Sequence, residues 1–268
     1  FGSVAPRRIT TLCPGCPHIA SYWSIMQAIR RNKNKGFVTG DIGCYTIGVF
    51  YHGLVKSVHC MGAGVGLASG FGQLHKFGLD EPVIAVMGDS TFYHACIPAL
   101  INIVYNNSNA TVCVLDNDAT AMTGFQPHPG TGFNAVGNDA PKVKIEDIVR
   151  GIGIKDVRII DPFDVKKAIR AVYECITMLG NHVIIFRRKC TLIARREMER
   201  AGVKIPAYVV DQDKCAGETC GICSRLYACS ACVWDKTLNK AKIDAVLCNG
   251  CGVCATICPY KAIYRVEG

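Results

Sequence analysis

The chain has 268 residues, half of them hydrophobic and 19% charged, which is enough for a sizeable core and excludes intrinsic disorder for most of its length. Its net charge of +9 favours acidic partners, but the charge is spread too thinly to argue for nucleic acid. No apolar run reaches the length of a membrane span, and the start at Phe1 lacks the pattern of an export signal. The expectation is therefore a cytoplasmic protein without a membrane span, forming the C-terminal portion of a longer product.

Residues 18–32 read as a first helix and 37–39 as a first strand. A helix over 63–77 then leads into a strand at 83–87, and Gly88-Asp89-Ser90 follows that strand directly. A helix over 92–105, strands at 112–115 and 157–160, a helix over 163–179 and a strand at 182–186 complete the series. In 163–179 the residues Val165, Ala168, Ile169, Val172, Ile176 and Leu179 form one apolar stripe; Asp161 or Pro162 opens it and Gly180 closes it. Strand–helix alternation of this kind predicts an α/β fold, a parallel sheet covered on both faces. Ligands in such sheets sit at the carboxyl ends of the strands. At two of those ends, Asp89 and Asn117 stand 28 residues apart. Their oxygens suit Mg²⁺ carrying a diphosphate, and a helix N-terminus favours the phosphate. A plain Gly-Asp turn is the alternative for either element alone.

Composition changes near residue 190. Residues 191–207 are basic, with Arg195, Arg196, Arg200 and Lys204, and Pro206 ends them. They read as a helix and linker whose charged face is either simply solvated or a docking surface for an acidic electron carrier. Residues 208–268 are short of core and rich in cysteine, a composition that needs a metal or cluster to fold.

Of 17 cysteines, nine crowd into 215–258. With no export signal and a large core, reduced, metal-binding cysteine is a better reading than a disulfide framework. Cys248-x2-Cys251-x2-Cys254-x3-Cys258-Pro259 is the bacterial ferredoxin run, in which three thiolates hold one cubane and the fourth crosses to another. Upstream, Cys215-x4-Cys220-x2-Cys223-x5-Cys229 is irregular, with x4 in place of x2 and Ser230 in place of proline. The pairing expected is Cys215, Cys220, Cys223 and Cys258 for one [4Fe–4S] cluster and Cys248, Cys251, Cys254 and Cys229 for the other. Cys232 is left over and could replace Cys229. Paired zinc sites, which use separated CxxC elements, fit this spacing poorly.

Four strings carry a family resemblance: 12–18 (LCPGCPH), 40–46 (GDIGCYT), 87–92 (MGDSTF) and 120–130 (TAMTGFQPHPG). Together with the GDS…LDN element and the ferredoxin tail, they resemble the large subunit of indolepyruvate:ferredoxin oxidoreductases, from about residue 8 to 265. The resemblance implies a thiamine diphosphate-binding domain over 1–190, a basic linker over 191–207 and a small α+β two-cluster ferredoxin domain over 208–268. It makes Asp89, Asn117 and the Ala119 carbonyl Mg²⁺ ligands and sets Gly88 and Ser90 against the diphosphate. Asp41, Gly43, Met61 and Gly62 would line the thiamine pocket, with Thr123 and Gly124 also at the cofactor.

His18 and His128 are expected to face the thiazolium or the substrate carboxylate as acid–base groups, with a structural role as the alternative. His52, His59, His75, His94 and His182 are read as structural or surface residues. Related pyruvate:ferredoxin oxidoreductases hold a third cluster near thiamine, and the matching positions are Cys13, Cys16, Cys44 and Cys190. Cys60, Cys96, Cys113 and Cys175 are expected in the core, and Arg187, Arg188 and Lys189 in solvent.

The implied reaction is oxidative decarboxylation of an arylpyruvate, with electrons leaving through the clusters to ferredoxin and the acyl group passing to coenzyme A. It requires a pyrimidine-binding domain that no part of this chain matches, and a second, beta subunit. Two alternatives remain at this stage: the same chemistry on another 2-oxoacid, or an electron-transfer module with a relic thiamine site. A non-redox thiamine decarboxylase would leave the tail clusters idle.

Overall fold

The computed structural model describes residues 10–266. In chain order the sheet region contains α1 (Pro17–Arg31), β1 (Phe37–Gly40), β2 (Val55–Val58), α2 (Ala63–Phe71), β3 (Val83–Gly88), α3 (Asp89–Thr91), α4 (Ile97–Tyr105), β4 (Ala110–Asp116), α5 (Ile145–Ile152), β5 (Asp156–Ile160), α6 (Val165–Thr177) and β6 (Asn181–Arg187). The six strands form one parallel sheet in the order β2-β1-β3-β4-β6-β5.

Val83 to Gly88 and Ala110 to Leu115 are buried without a break, as strands covered on both faces must be. Alternate residues enter two cores. Ile84, Val86, Cys113, Leu115, Ile184 and Phe186 meet α1 and α6 on one face. Val83, Ala85, Met87, Val112, Val114, Val183 and Ile185 meet α2, α4 and α5 on the other. Helix α1 is buried on nearly every side from Pro17 to Met26, because the cysteine-rich region lies over the flank that the sheet leaves open.

The structure departs from the expected elements in several places. The helix expected over 63–77 stops at Phe71 and continues after Gly72 as a separate 3₁₀ turn, Leu74–Phe77. The one expected from residue 92 starts at Asp89 and passes through a π-helical turn, Phe92–Cys96, beside Pro98, whose missing N–H disturbs the usual ladder. Helix α6 is capped by Asp164, whose side chain accepts from Lys167 N, whereas Asp161 instead accepts from Phe163 N. Edge strand β2, helix α5 and a 3₁₀ turn, Cys44–Val49, were not expected.

Beyond the sheet, α7 (Thr191–Arg200) stops short of Pro206. In the tail, β7 (Ala207–Val210) pairs antiparallel with the final strand, β10 (Ile263–Val266). Between them β8 (Cys232–Asp235) and β9 (Lys240–Ile243) form a hairpin, followed by α8 (Val253–Ile257).

The tail is stapled to the start of the chain. Ser230 Oγ donates to Leu12 O (3.2 Å), Asn249 Nδ2 to Pro14 O (2.7 Å) and Thr191 Oγ1 to Gly15 O (2.6 Å). Gly15 has φ +70°, and a Cβ there would stand 3.4 Å from both Cβ and Sγ of Cys251, so the turn needs glycine both for its conformation and for this approach. Among the described residues no helix is long and apolar enough to cross a membrane.

Candidate active site

The carboxyl ends of β1, β3 and β4 open into one cavity, as the sheet topology requires. Gly43, Met61, Gly88, Asp89, Ser90, Asn117, Ala119 and Thr123 line it, together with His18, Cys44 and Tyr45. Gly88 is needed for the approach of Tyr45: a Cβ there would lie 2.7 Å from the ring. Gly124 is not on the wall. Neither are Asp41 and Gly62, so those two do not line the pocket as expected. Asp41 is fully buried behind it, accepting a hydrogen bond from the Tyr45 hydroxyl, which is also 2.7 Å from Thr91 Oγ1. Burial raises the Asp41 carboxyl to about 6. Gly62, at φ +85°, starts α2, where a Cβ would meet Ala95 at 2.8 Å.

Asp89 is the fixed point of the cavity floor. Its Oδ1 accepts from Ser90 N (2.8 Å), and its Oδ2 accepts from Asn117 N (3.1 Å) and Ala119 N (3.2 Å). Asp118 makes this possible with φ +62°, which turns the two flanking amides to the same carboxylate. In consequence the Asn117 side-chain oxygen lies 2.8 Å from Ala119 O and 3.3 Å from Asp89 Oδ2. Three acceptors so close repel one another unless the amide is turned over or a cation stands among them. Turned over, the amide nitrogen would donate to both oxygens while its oxygen faced His18 Nε2, 3.4 Å from the present Nδ2; left as it is, the cluster of oxygens calls for a cation. Adjacent oxygens in an Mg²⁺ octahedron lie about 3 Å apart, given Mg–O distances of about 2.1 Å. The donor set fits magnesium.

The two histidines differ. His18 lines the cavity near the N-terminus of α1, and burial lowers its pKa to about 4, against the opposing pull of Asp89. It stands as a neutral imidazole. His128 does not line the cavity, contrary to expectation. It is stacked on Tyr93, its Nδ1 accepts from Gly130 N (3.1 Å), and its Nε2 lies 3.0 Å from Asp89 Oδ2 without hydrogen-bond alignment.

Cys13, Cys16, Cys44 and Cys190 converge beside this cavity. Burial raises the thiols of Cys13, Cys16 and Cys44, the last to about 11; nearby Cys190 adds to all three, and Cys13 to the other two. Cys16 and Cys190 are buried and Cys13 is exposed; as thiolates, the four would need a cation to hold them together. The backbone closes the group: Cys16 N donates to Cys13 O (3.0 Å), and Cys190 N donates to Asn117 O (2.8 Å). Cys44 belongs both to this set and to the cavity wall.

Cys215, Cys220, Cys223 and Cys258 line a second cavity, and Cys229, Cys248, Cys251 and Cys254 a third. Burial raises Cys251 to about 12 and raises Cys248, with Cys229 and Cys254 adding to both. Cys232 also borders the third cavity and lies within hydrogen-bonding reach of Cys223, Cys229 and Cys254, between the two sets. Among the described residues no three of these sulfurs come within 4.8 Å of one another. Zinc, at about 2.3 Å from each sulfur, would hold them about 3.8 Å apart, a closer group than any three of these sulfurs form.

Other expectations change. Cys96, Cys113 and Cys175 are buried, but Cys60 is exposed, beyond the end of edge strand β2. Arg187 is not simply solvated: it bridges Asp116 (2.7 Å) and Glu146 (2.7 Å). Arg188 pairs with Asp161 and stacks on Phe163, and Lys189 pairs with Glu197. In the basic helix, Arg195 reaches Glu199 and Asn249, and Arg196 lies over Phe125. The roles of Tyr45, Tyr227 and Asn249 escaped the sequence reading, although each sits within or beside a cysteine string.

Residues 41–185 match the family described as thiamine pyrophosphate enzyme, C-terminal TPP binding domain, and residues 240–263 match a 4Fe-4S binding domain. The indolepyruvate oxidoreductase subunit IorA of Thermococcus kodakarensis is 41% identical over 97% of this chain and 41% of its own length. That of Archaeoglobus fulgidus is 42% identical over 97% and 40%. The chain thus spans about two fifths of the length of the curated relatives it matches. Among solved structures, 2-oxoglutarate:ferredoxin oxidoreductase from Magnetococcus marinus shares the fold, with a TM-score of 0.59 at 18% identity over 74% of this chain and 72% of that one. The chain belongs to the thiamine pyrophosphate enzymes, joins their C-terminal TPP-binding domain to an iron–sulfur region, and resembles the IorA subunits along nearly its whole length.

Proposed function

We propose that this chain is the cofactor- and cluster-bearing part of a 2-oxoacid:ferredoxin oxidoreductase acting on arylpyruvates, as the names of its IorA relatives suggest. In this reading the domains divide at about residues 190 and 207. The observation that carries it is the double membership of Cys44, whose side chain belongs to the TPP-domain cavity and to a four-cysteine set. A cofactor that releases electrons there would have an acceptor at its wall.

When bound, thiamine diphosphate supplies the carbanion that adds to the 2-oxo carbon and the electrons left once CO2 has gone. The protein's part is binding and orientation. Asp89, Asn117 and the Ala119 carbonyl hold Mg²⁺, while Gly88 and Ser90 meet the diphosphate at the start of α3. Gly43, Met61 and Thr123 line the remaining wall, and Asp41, Gly62 and Gly124 shape it from behind. His18, kept neutral by burial, can take a proton at Nε2. His128 positions Asp89 rather than touching substrate.

Cys13, Cys16, Cys44 and Cys190 hold the cluster nearest the cavity. Their 13–16 turn rests against the set Cys229, Cys248, Cys251 and Cys254. Through Cys232 that set meets Cys215, Cys220, Cys223 and Cys258, the outer end of the relay. The partners implied are a pyrimidine-binding domain, a beta subunit, ferredoxin, which the basic surface would favour, and coenzyme A.

The test is a count of iron, acid-labile sulfide, zinc and thiamine diphosphate per chain after anaerobic purification with its subunits, followed by arylpyruvate-dependent reduction of ferredoxin. About twelve iron atoms with one thiamine, and coenzyme A-dependent turnover, are expected. About eight iron atoms would remove the cluster at Cys13, Cys16, Cys44 and Cys190. Iron without thiamine would leave an electron-transfer module, and preference for another 2-oxoacid would redirect the substrate.

A further inference from the structure

Among the described residues two side-chain hydroxyl oxygens, Ser224 Oγ and Tyr227 Oη, are buried without a partner, and the second borders a cysteine set. Tyr227 is almost fully enclosed, yet its Oη has no hydrogen-bond partner. The ring is fixed on two sides. It stands edge-on to Trp23, with centroids 5.9 Å apart, and its backbone carbonyl accepts from Tyr51 Oη at 3.2 Å. Tyr227 also lines the cavity bordered by Cys229, Cys248, Cys251 and Cys254.

A buried O–H normally finds an acceptor, because leaving one unmade is costly. The protein offers Tyr227 none, and the cavity it lines is walled by sulfur. Bound cluster sulfide and cysteinate are both acceptors.

We propose that Tyr227 Oη donates a hydrogen bond to a sulfur of the cluster held by Cys229, Cys248, Cys251 and Cys254. The bond makes Tyr227 a tuning residue for that cluster. A donor to sulfur stabilises the more negative, reduced state, so it raises the reduction potential. In a relay this eases the step out of the cluster nearest the cavity, where electrons first arrive. The proposal rests on the assignment of this cysteine set to a cubane, and its test separates the two.

The experiment compares wild type with Tyr227→Phe and Cys251→Ser, each purified anaerobically with its accompanying subunits. Iron and sulfide are counted, potentials are read by redox titration followed by electron paramagnetic resonance, and exchangeable protons at the cluster are read by pulsed resonance in H2O and D2O. Tyr227→Phe keeps the ring against Trp23 and removes only the hydroxyl. It is expected to retain all its iron, to shift one tail cluster to a more negative potential, and to lose one exchangeable proton coupling. Unchanged potential and coupling would overturn the proposal, and so would loss of iron, which would make the tyrosine structural. A Cys251→Ser variant that keeps all its iron with every cluster potential unchanged would instead overturn the cysteine assignment beneath it, since an oxygen ligand in place of sulfur shifts the potential.

Discussion

In the sheet region, β3 and β4 bury every residue from Val83 to Gly88 and from Ala110 to Leu115, and two apolar cores grip the sheet from opposite faces. In the tail, all four residues of β7 are only half-buried, and β8 and β10 each bury a single residue. Space that the sheet region fills with Val, Ile and Phe is bordered in the tail by eight thiols and Cys232. The first region carries its own reason to fold, whereas the second folds around something it must acquire. The contrast explains why the tail leans on α1 and on the 13–16 turn, since borrowed apolar contact from Trp23 and backbone acceptors from Leu12 and Pro14 supply part of what it lacks.

The widest test of this contrast is removal of iron. Chelation under reducing conditions is expected to abolish amide protection across 207–266 while leaving 83–88 and 110–115 protected, as read by hydrogen exchange and mass spectrometry. Equal loss in both regions would break the comparison. The converse perturbation is Ile184→Ala, at a fully buried position in β6. It should lower unfolding stability by about 2–5 kcal/mol in denaturant titration and leave iron content unchanged.

Acid sharpens the picture within the sheet region. His18, with its pKa lowered to about 4, contributes stability above its ordinary value of about 6.5, and that contribution is lost as pH falls through 4. The shift corresponds to about 3 kcal/mol. Asp41, raised to about 6, acts oppositely: its contribution is present below the ordinary carboxylate range and lost as pH rises through 6. Stability of His18→Gln and Asp41→Asn measured against wild type from pH 4 to 8 should therefore give difference curves of opposite slope.

A smaller effect is expected from Asn117→Ala, which removes one of the three clustered oxygens. Calorimetry should show Mg²⁺-dependent thiamine diphosphate binding weakened at least about tenfold, or about 1.4 kcal/mol, with iron retained. Smallest is Asn249→Ala, which loses the bonds to Pro14 O and Arg195. A cost of about 1 kcal/mol should show as earlier release of the tail in denaturant, with the sheet unaffected.

Runs such as Val-Ile-Ala-Val-Met made the central strands legible in the sequence, because burial on both faces writes itself as continuous β-branched and apolar residues. Strand β2, with Lys56 and Ser57 between two valines at the sheet edge, carries no such run, and α5 is too short to impose a period. The cysteine sets could be grouped from spacing because thiolate ligation recurs at short, fixed intervals. The place of His128 could not, since its string says nothing of Tyr93 and Asp89, which reach it from elsewhere in the fold. The same holds for Arg187, whose partners Asp116 and Glu146 lie on β4 and α5. Tyr227 and Asn249 were hidden among the unspecified positions of cysteine motifs, where a pattern of ligands carries no information about donors.

The three staples to Leu12, Pro14 and Gly15 join residues 218, 235 and 176 positions apart. Contacts so remote in sequence are late events in the life of a chain made from its N-terminus. Cys13 and Cys16 emerge well before Cys190 and before the Asn249 side chain that fastens their turn. The set of cysteines nearest the cavity is thus begun well before it can be closed, and its thiols stay apart while the segment between them is made.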